Sequence, residues 1–192
     1  MTWMKNEKSP ALKFKDTIKR FTNDPWNSWI KSSPIQPRST FDGPRKNEMT
    51  HELIVVKSVE ISTSPDHIWR ALTEPDKIAQ WMGGAHVESQ WEIGSDITFT
   101  GTTPNFNKAY RDRGTVLAME REKFLQYSHW SKMSRLPDSP QNRTIITFIL
   151  DGTGERTRLT VRHENFESQD AYKDANFFWG IALATLKRLL EE

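Results

Sequence analysis

Near its end the chain carries one long apolar stripe: Trp179, Leu183, Leu186 and Leu190, extended upstream by Tyr172 and Ala175. Spacings of three and four place these side chains on one face of an α-helix, predicted over about 171–190. A lone helix of that length has to bury its stripe against another layer. What precedes it is strand-like, so the layer is a sheet.

The strand signals begin at "ELIVVKSVEIS" (52–62), which is rich in β-branched residues. Two short helices follow. Ser64 is placed to cap the first, Pro65 fits its first position, and Asp66 suits its positive end. Its apolar stripe is Ile68, Trp69 and Leu72. Thr73-Glu74-Pro75 ends it and opens the second, whose apolar residues are Ile78, Ala79 and Trp81, and Gly83-Gly84 stops that one. Then come short strand-like runs. "AHVESQWEI" alternates at Val87, Ser89, Trp91 and Ile93, Gly94-Ser95 makes a turn, and "DITFTGT" alternates at Ile97 and Phe99. "YRDRGTVLAME", "FLQYSHWS" and "RTIITFIL" follow, and "DGTGE" (151–155) turns the chain into "RTRLTVRHE". The order strand, two short helices, about six strands, long helix predicts an α+β fold with an antiparallel sheet under one covering helix.

Residues 1–48 differ from the rest. They hold five of the ten prolines, and ten Lys or Arg against five Asp or Glu, a net of +5. Residues 49–192 hold seventeen against twenty, a net of −3. The basic balance thus belongs to an N-terminal extension, and the body at 49–192 is not a basic nucleic-acid binder. The extension reads as mostly flexible, with one amphipathic helix over 10–22 built on Ala11, Phe14, Ile18 and Phe21. Its Lys13, Lys15, Lys19 and Arg20 would suit a membrane surface or a protein partner, and a short tail helix packed on its own domain is the plainer reading.

The chain has no cysteine, which removes disulfides, thiolate metal sites and a cysteine nucleophile together. It has no apolar run long enough to span a membrane and no secretory signal, so a cytoplasmic protein is expected. Phosphate-loop, dinucleotide, zinc-protease and serine-hydrolase motifs are missing. No metal or cofactor is implied. His51, His67, His86, His129 and His163 are scattered. Period two puts His163 on the face of Leu159 and Val161, and His129 on that of Leu125 and Tyr127. If those faces look inward, both histidines do, either to orient a ligand or as hydrogen-bonded core residues. Glu164 points the other way. Asp112, between Arg111 and Arg113, reads as part of a solvated cluster.

"ISTSPDHIWRALTEPDKIAQWM", "RGTVLAMEREKFLQYS", "TIITFILDGTGERTRLTV" and the Trp and Leu pattern of the last helix resemble the activator-of-Hsp90-ATPase-like (AHSA1-like) branch of the SRPBCC, START and Bet v 1-like superfamily, over roughly 53–192. The resemblance implies a helix-grip fold. A curved antiparallel sheet of six to seven strands wraps a long C-terminal helix, with two short helices after the first strand and a cavity between sheet and helix. It further implies binding of a small hydrophobic molecule. Residues placed to line such a cavity are Trp81, Trp91, Phe99, Tyr127, His129, Phe148, His163, Phe178 and Trp179. Core packing would use the same rings. Two other functions belong to the resemblance: a cyclase- or hydrolase-like enzyme, for which His129 and His163 are the acid–base candidates, and contact with Hsp90. Where the family usually has Gly before the helix Trp, this chain has Phe178, so a ring is expected to narrow the cavity or cover its mouth. Gly94-Ser95 stands where Gly-Gly is common.

Overall fold

The computed structural model describes residues 53–103 and 108–192. The expected extension over 1–48 with its helix at 10–22, and His51, lie outside the described residues. Strand β1 is Val55–Ile61. Helices α1 (Pro65–Thr73) and α2 (Pro75–Trp81) follow. Then come β2 (His86–Ser89), β3 (Asp96–Thr103), β4 (Lys108–Glu120), β5 (Phe124–Trp130), β6 (Thr144–Thr153) and β7 (Arg156–Glu164). Helix α3 (Gln169–Glu191) ends the order. The strands form one antiparallel sheet in the order β1-β7-β6-β5-β4-β3-β2.

Local chemistry explains the turns. The Ser64 hydroxyl accepts from the His67 N–H, satisfying a free donor at the start of α1. Trp81 then folds back, and its indole N–H donates to the Ala71 carbonyl at 2.9 Å, fixing α2 on α1. Thr153 pairs with Arg156 across a two-residue turn in which Gly154 has a φ of 66°, a conformation glycine adopts without strain. A bulge in β4 between Val116 and Ala118 shifts the register against β5 and bends the sheet.

The core sits between the sheet's inner face and α3. On α3 the buried residues are Trp179, Ala182, Leu183 and Leu186; Tyr172, Ala175 and Leu190 of the predicted stripe are partly buried and pack against the core. From the sheet come Val116, Leu125, Phe148, Leu159 and Val161, and from the short helices Ile68, Leu72, Ile78 and Trp81. The helix-grip architecture is therefore present, with seven strands. One expectation fails. The alternation read through Trp91 and Ile93 is not a strand. β2 ends at Ser89, and Trp91 takes a φ of 51° inside a turn where the Ser89 and Ser95 hydroxyls accept from the N–H groups of Trp91 and Glu92. Hydroxyls offering the backbone those bonds compete with the ladder, and Ile93 ends up 68% exposed. Among the described residues, no helix is long and apolar enough to cross a membrane.

Candidate functional site

In an antiparallel sheet, residues directly opposite one another project to the same face. One row across the inner face reads Val116, Tyr127, Ile146, His163 and Val55 on successive strands. The next row toward the β5–β6 connection holds Gly114, His129 and Thr144, and Asp112 lies two residues before Gly114 on β4. Toward the middle of the sheet the inner face is mainly apolar, with Leu125, Phe148, Leu159 and Val161 buried there. At this corner it gathers Asp112, His129, Tyr127 and His163.

Asp112 corrects the sequence reading. It is 8% exposed and belongs to no solvated cluster. Its Oδ1 accepts from the Lys132 N–H at 2.9 Å and its Oδ2 lies 3.5 Å from His129 Nε2. The signal was there, since period two counted back from Val116 through Gly114 reaches Asp112, but flanking arginines masked it. Gly114 is required beside it. A Cβ there would stand 2.1 Å from the Ser128 carbonyl oxygen. His129 is half-buried, its ring edge-on to Phe99 at 5.5 Å.

His163 faces inward as its strand period requires and is 8% exposed. Its Nδ1 accepts from the indole N–H of Trp179 at 3.0 Å. An indole nitrogen only donates, so Nδ1 must be the bare nitrogen and the imidazole hydrogen sits on Nε2. That Nε2 is buried and has no hydrogen-bond partner among the described residues. Burial, and then the nearby His129, push the His163 pKa down to about 3. His163 therefore presents a neutral, buried N–H donor. Glu164 does point away, its carboxylate paired with Arg162 at 2.6 Å.

The rings meet around Phe148. Its centroid is 5.5 Å from Trp179, 6.3 Å from Tyr127 and 6.4 Å from Trp81, and Tyr127 continues to Phe99 at 5.9 Å. All five are buried. Burial also pushes the Tyr127 phenol pKa upward, so it stays protonated. The space expected to be a cavity is thus occupied by touching rings. Two recesses on the surface lie elsewhere, one beside Ala184 and Lys187 on α3, the other among Glu60, Asp151, Arg156 and Arg158.

Two aromatic expectations change. Trp91 only packs against the core's margin from its turn. Phe178 is 40% exposed, edge-on to Trp179 at 5.0 Å, because one residue along a helix is a rotation of about 100° from Trp179, which puts it at the edge of the buried stripe. A ring so placed does not narrow the space beneath α3. Two rings escaped the sequence reading of the site: Phe166, 4.5 Å from His163, and Tyr172, 5.8 Å from Phe166. Tyr172 was visible on the α3 stripe, but Phe166 sits in an irregular link with no periodicity to mark it. Among the described residues, no group of three or more His, Asp or Glu could hold a metal ion.

Comparison with known proteins adds to this geometry. Residues 62–191 match the family described as activator of Hsp90 ATPase homolog 1-like protein. No curated protein matches the chain. A Cytophaga hutchinsonii protein solved in solution is 32% identical, with a TM-score of 0.61 over 72% of this chain and 93% of that one. A Mesorhizobium loti crystal structure is 27% identical, with a TM-score of 0.57 over 71% of this chain and 96% of that one. The Aha1 dimer of Colwellia psychrerythraea shares the fold at 23% identity, with a TM-score of 0.57 over 72% and 96%.

Proposed function

Because this chain belongs to the activator of Hsp90 ATPase homolog 1-like family, we propose that it binds a small hydrophobic molecule between the sheet and α3, at the corner marked by His163. The observation that carries this reading is the buried Nε2–H of His163, which has no partner among the described residues. Leaving a buried donor unmade costs about 1–3 kcal/mol, so a site that keeps one is suited to receiving an acceptor. Phe166 and Trp179 flank the His163 ring, and Phe148 and Tyr127 continue from Trp179, offering ring faces and edges that hold a flat apolar molecule by burial. Entry requires these rings to part, beginning at Phe166, which lies in the irregular link between β7 and α3.

The test is native mass spectrometry of the protein purified from its own host, with fluorescence titration of a flat aromatic probe, 1-aminoanthracene. The expected result is an organic adduct lost on unfolding, or saturable one-site binding of the probe. A bare mass together with a linear, unsaturable titration would sink the proposal.

One observation favours a second reading. Asp112 and His129 at 3.5 Å pair a carboxylate with an imidazole on the same face of the sheet as His163. That arrangement suits acid–base work on a bound carbonyl compound, as in a cyclase- or hydrolase-like enzyme. Turnover of a bound ligand that Asp112→Asn abolishes without loss of binding would decide for it.

A further inference from the structure

We infer that the ligand is uncharged and carries a carbonyl or similar hydrogen-bond acceptor, held by the Nε2–H of His163, and that this corner rejects carboxylates. The inference rests on the binding reading above and narrows it to a chemical class.

The argument starts from what Trp179 does to His163. A histidine in a ligand site usually has a choice of two forms, a neutral ring or an imidazolium that pairs with an acid. Here the indole N–H occupies Nδ1 at 3.0 Å. Protonating Nδ1 would set two N–H groups against each other at that distance, since neither can accept. The ring is thus held neutral by geometry, and burial acts in the same direction. A ligand carboxylate brought to Nε2 would meet one neutral donor and no counter-charge, in a place where an unpaired charge is costly.

The neighbouring groups do not supply that charge. His129 is engaged with the Asp112 carboxylate, which adds negative charge to the same face. Arg162 is paired with Glu164 on the other face. Lys57, the next inward position after Val55 on β1, carries its ammonium to the exposed Gly180 of α3, 3.9 Å from where a Cβ there would stand. A protonated amine gains nothing at Nε2 either, because both groups would be donors. A ketone, quinone or ester carbonyl accepts one hydrogen bond at no charge cost, and its hydrocarbon part fits among rings.

Three naphthalenes of similar size separate the cases when titrated into the full chain at pH 7: 2-acetylnaphthalene, 2-ethylnaphthalene and 2-naphthoate. The expected order is the ketone tightest, by about tenfold over the ethyl compound, and the carboxylate weakest. The His163 Nε2–H proton resonance should move on adding the ketone and stay with the ethyl compound. In His163→Leu the ketone should lose its advantage. Should that variant fail to fold, the comparison on the native chain decides. Saturable binding of ketone and ethyl compound with equal affinity would leave the binding reading standing and overturn this one, as would tightest binding of 2-naphthoate. Failure of all three to bind would overturn both.

Discussion

The indole N–H of Trp179 on α3 donates to Nδ1 of His163 on β7 at 3.0 Å, joining the covering helix to the sheet at the point where the inner face turns polar. This bond locks the helix to the strand and decides which nitrogen of His163 carries its hydrogen. Stability and site chemistry can therefore be separated by choosing what replaces Trp179. Trp179→Phe keeps most of the buried ring and removes the donor, with an expected cost of about 1–3 kcal/mol. Trp179→Ala opens the core and should cost about 3–5 kcal/mol. Urea unfolding of both variants checks the pair. A loss below about 1 kcal/mol for Trp179→Ala would contradict the packing of α3 on the sheet.

The depressed pKa of His163 gives stability a direction with pH. An ordinary histidine takes up its proton near pH 6.5, whereas His163 in the folded chain does so only near pH 3. Between those values the unfolded chain holds one more proton at this residue, so acidification favours unfolding. The contribution is complete above pH 6.5 and drains as pH falls toward 3, with a slope approaching about 1.4 kcal/mol per pH unit. Lowered carboxyl pKa values, as at Glu60 and Glu191, act only below the ordinary carboxylate range. Unfolding free energies of the native chain and of His163→Gln should therefore diverge as pH falls from 7 to 5, the difference in slope rising toward about 1.4 kcal/mol per pH unit near pH 5. Parallel slopes would show that His163 protonates normally.

Gly114→Ala tests the close approach of β4 and β5 beside the polar corner. The new methyl group would stand 2.1 Å from the Ser128 carbonyl oxygen, which is backbone and cannot swing aside. Separating the strands there should cost about 1–3 kcal/mol or more and displace His129, which is opposite. Chemical unfolding and the amide shifts of 127–130 report on both. A variant as stable as the native chain would mean that the strands can part freely at this point.

Phe178→Gly distinguishes a surface ring from one that shapes the site. Phe178 is 40% exposed, so the substitution should cost about 1 kcal/mol, mainly from glycine inside a helix, and leave probe affinity unchanged. A marked gain in affinity for 1-aminoanthracene would show that the ring does restrict the ligand space.

How much of this could be read from the chain depends on which interactions carry each feature. Trp179, Leu183 and Leu186 announce α3, because burial along one helix face imposes a visible period. His163 was placed inward by the same logic on β7, counting from Leu159 and Val161. Its bond to Trp179 joins residues on different elements, and no spacing rule reports such a pair. Asp112 was hidden because its strand alternates buried and charged positions, and the charges read as solvent. Trp91 misled for the opposite reason: the alternation continued in sequence, while two serine hydroxyls drew the backbone out of the ladder. Phe178 was judged by a family pattern, and its own angular position on α3 decides instead.

The measurement that tests the central claim most directly is the protonation state of the His163 ring, read by long-range proton–nitrogen correlation in the folded protein from pH 7 down to pH 5. The account predicts a neutral ring with hydrogen on Nε2 and a bare Nδ1 throughout, and an Nε2–H signal that shifts when 2-acetylnaphthalene is added. A ring carrying its hydrogen on Nδ1, or an imidazolium already formed at pH 6, would contradict the Trp179 lock and the neutral donor on which the ligand reading stands.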